Sequence, residues 1–334
     1  METRRLGRTD LELTTIGLGT WAIGGGNWLF GWGDQDEQEA VEAIVRGVDL
    51  GINWIDTAAV YGNGRSEELV GRALSELGPA RRPIIATKCG RVFEPDGRIV
   101  GRLDRGSILA ECDASLKRLG VDCIDLYQIH WPDPARDIAE AWETFIELKE
   151  RGKVRSIGVS NFTVRQMDHI GRLHPIASLQ PPYSMLADEV EAAVLPYCEE
   201  KQIGVVAYSP MCKGLLTGKF TIERAAQLDA SDHRSRDPKF QAPQLSINLD
   251  LVDGLRKVAS SLGATVAQLA IAWVLRRAEV TSAIVGARRP GQIEETVSAA
   301  GITLVDNGLE SIESLRAARR DALATLPAAP QGRV

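Results

Sequence analysis

Short apolar runs alternate with amphipathic segments from one end of the chain to the other. The run LTTIGLG at 13–19 is followed by a segment at 36–50 whose apolar residues recur at helical spacing. Seven further runs follow, separated by helical patterns, at 52–58, 83–89, 123–130, 155–161, 177–184, 203–210 and 281–287. The helix predicted over 65–77 has Ser66 as a candidate N-cap. Because strands that alternate with helices form parallel sheets, eight such units favour an α/β fold of the closed (β/α)8 TIM-barrel type.

Two segments depart from this repeat. About seventy residues separate the seventh run from the eighth, which is more than one helix and a turn require. Within them, the Gly- and charge-rich stretches 212–221 and 231–241 predict a long loop at the active rim of the barrel. After a helix predicted near 309–323, the stretch 322–334 predicts a frayed end. Because no linker or low-complexity segment interrupts the pattern, residues 1–334 are expected to form one domain.

Composition and charge narrow the classes of partner and location. The 334 residues are 44% hydrophobic and 25% charged, as in soluble globular proteins. The net charge is −6 without a basic block, which argues against nucleic acid or an anionic membrane as a partner. No segment reaches about 18 uninterrupted apolar residues and no signal-peptide run opens the chain, so the expectation is a cytoplasmic protein. Five cysteines without a CxxC pair and four histidines without HxxxH spacing predict no metal site.

Four ionisable residues stand at or just after the ends of predicted strands. They are Asp56, Tyr61, Lys88 and His130. Each has an ordinary explanation by itself, as a strand-end cap, a loop aromatic, a solvated lysine or a core histidine. Because the C-terminal ends of barrel strands share one rim, the four side chains are expected to meet there. An ammonium at Lys88, held by Asp56, would lower the pKa of Tyr61 and make it an effective proton donor, while His130 orients a substrate oxygen.

A formal dinucleotide fingerprint near the N-terminus is not interpreted as one. GLGTWA at 17–22 matches GxGxxA after a predicted strand. A Rossmann turn opens directly into a helix, whereas this chain continues with a glycine-rich stretch that lacks helical periodicity. We interpret 17–33 as a first βα loop that lets a flat ligand approach the backbone.

Several motifs fall in order at barrel spacing. They are GINWIDTAAVYGNGRSEELVG at 51–71, Thr87–Lys88, QIHW at 128–131, GVSN at 158–161 and GARxxxQxxE at 286–295. Together they resemble the aldo-keto reductase superfamily over almost the whole chain, most closely the bacterial branch related to potassium-channel β subunits. The resemblance implies a monomeric NADP(H)-dependent reductase of aldehydes and ketones on a (β/α)8 barrel, with the tetrad Asp56, Tyr61, Lys88 and His130.

The resemblance also implies cofactor contacts residue by residue. Six residues in the first, fifth, sixth and seventh units are implied to contact the nicotinamide: Thr20, Trp21, Ser160, Asn161, Gln180 and Tyr208. Nine residues at the ends of the last two strands or beyond them are implied to contact the pyrophosphate or the adenosine end: Ser209, Met211, Gly214, Lys219, Arg234, Gly286, Arg288, Gln292 and Glu295. Hydride transfer from nicotinamide C4 to a carbonyl carbon is the reaction that this set implies.

The adenosine end departs from the family's usual pattern. Thr296 stands where an asparagine usually contacts the adenine, and Gly286–Ala287 replaces a lysine–serine pair that many members use on the 2′-phosphate. The guanidinium of Arg288 is suited to bind that phosphate instead, so NADP is favoured over NAD. Arg289 is expected to point away if a helix begins here, because adjacent helical residues do not share a face.

The substrate end and two other functions complete the sequence-based expectations. Trp28 and Trp131 are expected to line the mouth of the site and to contact an apolar substrate. An NADP(H)-binding sensor or regulatory subunit with little turnover would keep the same residues. A Schiff-base aldolase would use Lys88 as its nucleophile. The intact tetrad favours the reductase.

Overall fold

A closed barrel of eight parallel strands forms the centre of the molecule. The computed structural model describes residues 1–26 and 28–327, apart from the side chain of Arg136. The barrel strands are β1 (Ile16–Gly19), β2 (Trp54–Asp56), β3 (Ile84–Cys89), β4 (Ile124–Ile129), β5 (Val154–Ser160), β6 (Ser178–Gln180), β7 (Gly204–Tyr208) and β8 (Val280–Gly286). Each strand pairs with the next one in the chain, and β8 pairs with β1 to close the barrel. The predicted (β/α)8 barrel is confirmed.

Helices cover the outside of the barrel. They are α1 (Glu37–Asp49), α2 (Arg65–Leu77), α3 (Arg105–Leu119), α4 (Ile138–Glu150), α5 (Val164–Gly171), α6 (Val194–Lys201), α7 (Ile222–Ala226), α8 (Gln244–Ser261), α9 (Val266–Leu275), α10 (Pro290–Val297) and α11 (Asp306–Ala324). At the starts of α1, α3, α5 and α9, an Asp or Thr side chain accepts from the backbone N–H three residues on, which satisfies a free donor. Across the described residues no single helix is long and apolar enough to cross a membrane; α8 and α9 pass that test only together, bent by 84°.

An N-terminal hairpin closes one end of the barrel. Its strands, Thr3–Arg5 and Glu12–Thr14, pair antiparallel, and Leu6, Leu11 and Leu13 pack against buried barrel residues that include Trp54. Gly7, at φ +54°, allows the turn to lie against the barrel backbone, where a Cβ would stand 2.6 Å from a carbonyl oxygen. Because this end is filled, the opposite, C-terminal rim is the one left open for chemistry.

The elements differ from the predictions in ways that concern the site. The run at 13–19 is divided, since Glu12–Thr14 belongs to the hairpin and only Ile16–Gly19 enters the barrel. A second hairpin, Arg91–Phe93 with Ile99–Gly101, follows β3 and was not predicted. The expectation of Ser66 as an N-cap is wrong, because Gly64, at φ +95°, precedes α2 and Ser66 lies buried in the first turn.

The connection between β7 and β8 is structured rather than a single long loop. Short 3₁₀ turns occupy Cys212–Thr217, His233–Arg236 and Pro238–Phe240, and α8 and α9 account for most of the remainder. The segment bends over the rim, where the backbone N–H of His233 donates to Gly31 O at 3.0 Å. The helix predicted near 309–323 is found as α11, whereas the end of the predicted frayed tail, 328–334, lies outside the described residues.

Candidate active site

The four ionisable residues meet at the C-terminal rim. Asp56 ends β2, Lys88 is the second-last residue of β3 and His130 directly follows β4. Tyr61 lies in the turn after β2, with its ring centroid 5.7 Å from that of His130 in an edge-on arrangement. The predicted convergence of these side chains on one rim is therefore what the fold produces.

Lys88 connects the group through its ammonium. Nζ donates to Asp56 Oδ2 at 2.7 Å, to the carbonyl of Thr57 at 2.8 Å and to Tyr61 Oη at 3.3 Å. Burial lowers the pKa of Lys88 and raises that of Asp56, and each charge counteracts the effect on its partner. All three ammonium protons have an acceptor, so the geometry fits the charged pair.

The phenol and the imidazole are both held in their neutral forms. Burial, and then the charge of Asp56, raise the pKa of Tyr61 well above its usual value. The pKa of Tyr61 therefore lies above its usual value and not below it as expected, because burial outweighs an ammonium whose charge Asp56 already opposes. Burial, followed by the charges of Lys88 and Arg91, holds the pKa of His130 well below its usual range. At neutral pH Tyr61 thus carries its proton and His130 is uncharged.

Residues expected near the nicotinamide form a network around Asp56 and His130. Gln180 Nε2 donates to Asp56 Oδ1 at 2.8 Å. Asn161 Nδ2 donates to His130 O at 3.0 Å, and Tyr208 Oη donates to Asn161 Oδ1 at 2.9 Å. These hydrogen bonds connect the ends of β5, β6 and β7 to the tetrad residues Asp56 and His130.

A cavity of about 660 Å³ opens beside the tetrad. Every site residue predicted from the sequence lines it except Lys88 and Thr20. Lys88 is fully enclosed by its three acceptors. The hydroxyl of Thr20 donates to Asp56 O at 2.9 Å, so Thr20 supports the strand that carries Asp56 instead of facing the cavity. Thr20 was predicted to contact the nicotinamide, but it is connected to the site only indirectly, through Asp56.

The mouth of the cavity is largely aromatic. Trp28 and Trp131, which were expected to contact the substrate, both line it together with Trp21 and Phe30. The indole N–H of Trp21 donates to Phe30 O, and that of Trp28 donates to Gly25 O, each at 3.1 Å. These two indoles therefore offer a ligand mainly their apolar faces.

Four arginines line the part of the cavity formed by the β7–β8 connection and the loop after β8: Arg224, Arg234, Arg288 and Arg289. Arg234 forms an ion pair with Asp232 at 2.6 Å. Within the described chain the other three have no carboxylate partner. Burial and then the neighbouring guanidinium charges lower the pKa of Arg224 and of Arg288. This concentration of positive charge fits a ligand that carries several negative charges.

Arg288 and Arg289 have different surroundings. Arg288 Nε donates to Gln35 Oε1 at 2.7 Å and Nη1 donates to Trp32 O at 3.0 Å, while Nη2 donates to Asp34 O. Arg288 thus ties the first βα loop to the last. Arg289 is the exposed N-cap of α10, and its side chain makes no hydrogen bond within the described residues. The expectation that Arg289 turns away is wrong, because an extended N-cap, at φ −147°, lies outside the helix and reaches the same cavity.

The remaining residues of the adenosine end also lie together. Lys219 Nζ contacts Glu295 Oε2 at 2.5 Å across the cavity wall, and Gln292 Oε1 accepts from the backbone N–H of Arg288 at 2.7 Å. Arg224 and His233 line the cavity as well, although neither was among the predicted site residues. The sequence indicated them only indirectly: His233 lies within the charge-rich stretch 231–241, and Arg224 lies three residues after the stretch 212–221.

Comparison with known proteins identifies the family. A sequence model of the Aldo/keto reductase family matches residues 15–317. The chain belongs to this family. It is 42% identical over 316 residues to the aldo-keto reductase YhdN of Bacillus subtilis, covering 94% of this chain and 93% of that protein. Two other relatives are the NADH-specific methylglyoxal reductase of Escherichia coli (36% over 314 residues, 90% and 94% covered) and a putative voltage-gated potassium channel subunit beta of Schizosaccharomyces pombe (33% over 309 residues, 89% and 87% covered).

A solved structure agrees with this assignment. The glycerol dehydrogenase AKR11B4 from Gluconobacter oxydans superimposes with a TM-score of 0.86 at 38% identity, covering 100% of this chain and 99% of that one. The expected family, and its branch related to potassium-channel β subunits, are confirmed. This aldo-keto reductase is therefore an oxidoreductase of a family that uses nicotinamide cofactors. Its relatives do not share a single cofactor preference, because one of them is named as NADH-specific.

Proposed function

We propose that this aldo-keto reductase reduces aldehydes or ketones to alcohols with NADPH, and that Tyr61 protonates the carbonyl oxygen. The observation that carries the proposal is the 3.3 Å contact from the Lys88 ammonium to Tyr61 Oη at the wall of the cavity. Tyr61 Oη accepts from Lys88, so the phenolic proton remains available to an acceptor in the cavity. The raised pKa of Tyr61 keeps that proton in place at neutral pH.

Lys88 and His130 assist this proton transfer in different ways. As the phenol gives up its proton, the hydrogen bond from the ammonium gains a charged acceptor and becomes stronger. His130 is neutral and can donate one N–H to the same substrate oxygen. Two donors directed at a developing alkoxide are a common device for stabilising negative charge. No metal ion is required in this scheme.

The cavity fits a nicotinamide dinucleotide, which when bound supplies the hydride. Ser160, Asn161 and Gln180 would hold the carboxamide, and Trp21 and Tyr208 would contact the ring. The β7–β8 residues Ser209, Met211, Gly214, Lys219 and Arg234 would hold the pyrophosphate. The uncompensated charge of Arg224, Arg288 and Arg289 suits the phosphates of such a molecule. Gly286, Gln292 and Glu295 would contact the adenosine.

The contacts of the two adjacent arginines favour Arg289 as the residue that binds the 2′-phosphate. Arg289→Ala is expected to weaken NADPH binding about tenfold or more, the effect of a charge-assisted hydrogen bond worth roughly 1.5–3 kcal/mol. NADH binding should be unchanged. Arg288→Ala should weaken both nucleotides by a similar factor, because Arg288 holds the loop at 32–35. Fluorescence titration with NADPH and NADH measures all four constants.

A matched control is available for these two variants. Arg172, exposed at the end of α5, pairs with Asp168 and does not line the cavity, so Arg172→Ala should bind both nucleotides as the wild type does. A selective loss of NADPH affinity in Arg288→Ala, with none in Arg289→Ala, would show that Arg288 and not Arg289 binds the 2′-phosphate.

The cavity mouth favours an apolar carbonyl substrate. Trp21 and Trp28 have their indole N–H groups occupied by backbone carbonyls, and Val60 and Ile99 add aliphatic side chains to the wall. A substrate with many hydroxyl groups would find few partners there and would lose its hydration. An aryl or alkyl aldehyde is therefore expected to react with a lower KM than a polyhydroxylated one of similar size.

Turnover of the wild-type protein tests the proposal against a role as sensor or regulatory subunit. The measurement is the loss of NADPH absorbance with a panel of activated and unactivated aldehydes. The reductase is expected to turn over repeatedly, at the ordinary scale of about 1–10³ s⁻¹. Tight NADPH binding without turnover on any aldehyde would favour the sensor. The aldolase is disfavoured, because Lys88 does not line the cavity and all its protons are engaged.

A further inference from the structure

The first turn of α2 lies directly behind the tetrad and contacts the ends of three barrel strands. Ser66 Oγ donates to Thr20 O at 2.9 Å and lies 3.1 Å from Thr57 Oγ1. The Thr20 hydroxyl in turn donates to Asp56 O at 2.9 Å. Ser66 is fully buried. Its contacts connect α2 to Thr20 and Thr57, which directly follow the paired strands β1 and β2.

The next residue, Glu67, makes a corresponding contact with β3. Its side chain is fully buried, and Oε1 accepts from the Thr87 hydroxyl at 2.5 Å. Oε2 accepts from Arg118 Nε at 2.7 Å, and Arg118 Nη2 lies 2.6 Å from the same oxygen. The carboxylate therefore has both a charge partner and a hydroxyl partner on the outer side of the barrel.

Thr57 and Thr87 are direct neighbours of tetrad residues in the chain. Thr57 follows Asp56, and Thr87 precedes Lys88. Successive side chains along a strand point to opposite faces, so Asp56 and Lys88 point into the barrel while these threonines reach α2. The carbonyl of Thr57 also accepts from Lys88 Nζ at 2.8 Å. A shift of either threonine would thus change the distances within the Asp56–Lys88–Tyr61 group.

Packing alone does not explain why Ser66 and Glu67, two polar residues, are buried in the first turn of α2. α2 already buries an apolar face of Leu69, Val70, Ala73, Leu74 and Leu77. Burying a carboxylate is costly, and replacing a buried ion pair by apolar residues is often neutral or stabilising. A directional contact that fixes a strand end is something an apolar side chain at position 67 could not supply.

We infer that Ser66 and Glu67 are positioning residues that hold the ends of β2 and β3 so that Asp56, Lys88 and Tyr61 stay within hydrogen-bonding distance. The inference rests on the proposed function. It assigns a task to the first turn of α2, which touches neither the cavity nor the reacting atoms. The task is carried out through Thr57 and Thr87.

Thr87→Val tests the inference with the smallest change in shape, since it exchanges a hydroxyl for a methyl group. We expect kcat for carbonyl reduction to fall about tenfold or more, because misplacement of reacting groups is costly to rate. The KM for the aldehyde and the NADPH dissociation constant from fluorescence titration should change little, and the melting temperature should fall only modestly, because the buried Glu67 carboxylate loses one partner but keeps Arg118. Thr87→Ser, which restores a hydroxyl, should recover most of the lost kcat.

Glu67→Gln provides a second variant with a different readout. The charge of Glu67 raises the pKa of Lys88, so its removal should move the alkaline limb of the kcat–pH profile to lower pH. Thr87→Val keeps this charge and should leave the limb in place. Glu68→Gln is the matched control, because Glu68 is the exposed neighbour in the same turn and should behave as wild type.

Two results would overturn the inference. One is wild-type kcat in Thr87→Val together with an unmoved alkaline limb in Glu67→Gln. The other is a parallel loss of kcat, nucleotide affinity and melting temperature that Thr87→Ser does not reverse, which would assign these contacts to folding alone. Wild-type turnover is measured separately and tests the proposed function by itself, so a failure of the inference is distinguishable from a failure of that function.

Discussion

Tyr61→Phe is expected to lower kcat for carbonyl reduction by roughly 10²–10⁴-fold, the usual contribution of a positioned general acid. The substitution removes the hydroxyl that accepts from Lys88 but keeps the ring beside Trp21 and His130. NADPH affinity should therefore stay close to that of the wild type. The comparison requires single-turnover or steady-state rates on an unactivated aldehyde and a fluorescence titration of the nucleotide.

Tyr197→Phe is the matched control for this substitution. Tyr197 lies on α6 away from the cavity, and the loss of its hydroxyl should leave kcat unchanged. Near-wild-type turnover of Tyr61→Phe on an unactivated aldehyde would remove Tyr61 from the role of proton donor. A loss of NADPH affinity that matches the loss of kcat would instead indicate a structural role for the phenol.

Lys88→Met is expected to affect both rate and stability. It leaves the buried Asp56 carboxylate without its charge partner, and breaking one side of a buried ion pair costs about 3–5 kcal/mol. The measurements are urea unfolding and kcat. Carbonyl reduction should slow by roughly 10²-fold or more, because no ammonium stabilises the forming phenolate.

The pH dependence of the reverse reaction isolates the electrostatic part of this prediction. In alcohol oxidation the phenolate of Tyr61 is the base, so activity rises as the phenol loses its proton. Removal of the Lys88 charge should raise the pKa of Tyr61 further. The rise of kcat with pH in alcohol oxidation should therefore move to higher pH. If this rise does not move, Lys88 does not tune Tyr61.

The barrel and the tetrad could be predicted because their signals are local. Each barrel strand is a short apolar run, and Asp56, Lys88 and His130 stand at fixed places relative to such runs. The closed barrel then brings strand ends to one rim without further information. The family motifs around these residues agree with the same positions, as the match over 15–317 shows.

Contacts between segments distant in the chain could not be predicted. The sequence places Arg288 and Arg289 side by side, but only the fold shows that Arg288 is engaged by the loop at 32–35 and Arg289 is not. The raised pKa of Tyr61 depends on how deeply the β2 turn is buried, which residue order does not reveal. Glu67 reads as one polar residue of an amphipathic helix, and its partner Arg118 lies 51 residues away.

Isotope transfer tests the central claim most directly. The wild-type protein is incubated with an aryl aldehyde and NADPH that carries deuterium at the transferable C4 position, and the product alcohol is examined by mass spectrometry and NMR. The account predicts one deuterium on the carbinol carbon of each alcohol formed, in step with the oxidation of NADPH. Oxidation of the nucleotide without labelled alcohol, or unreacted aldehyde after prolonged incubation with nucleotide bound, would contradict it.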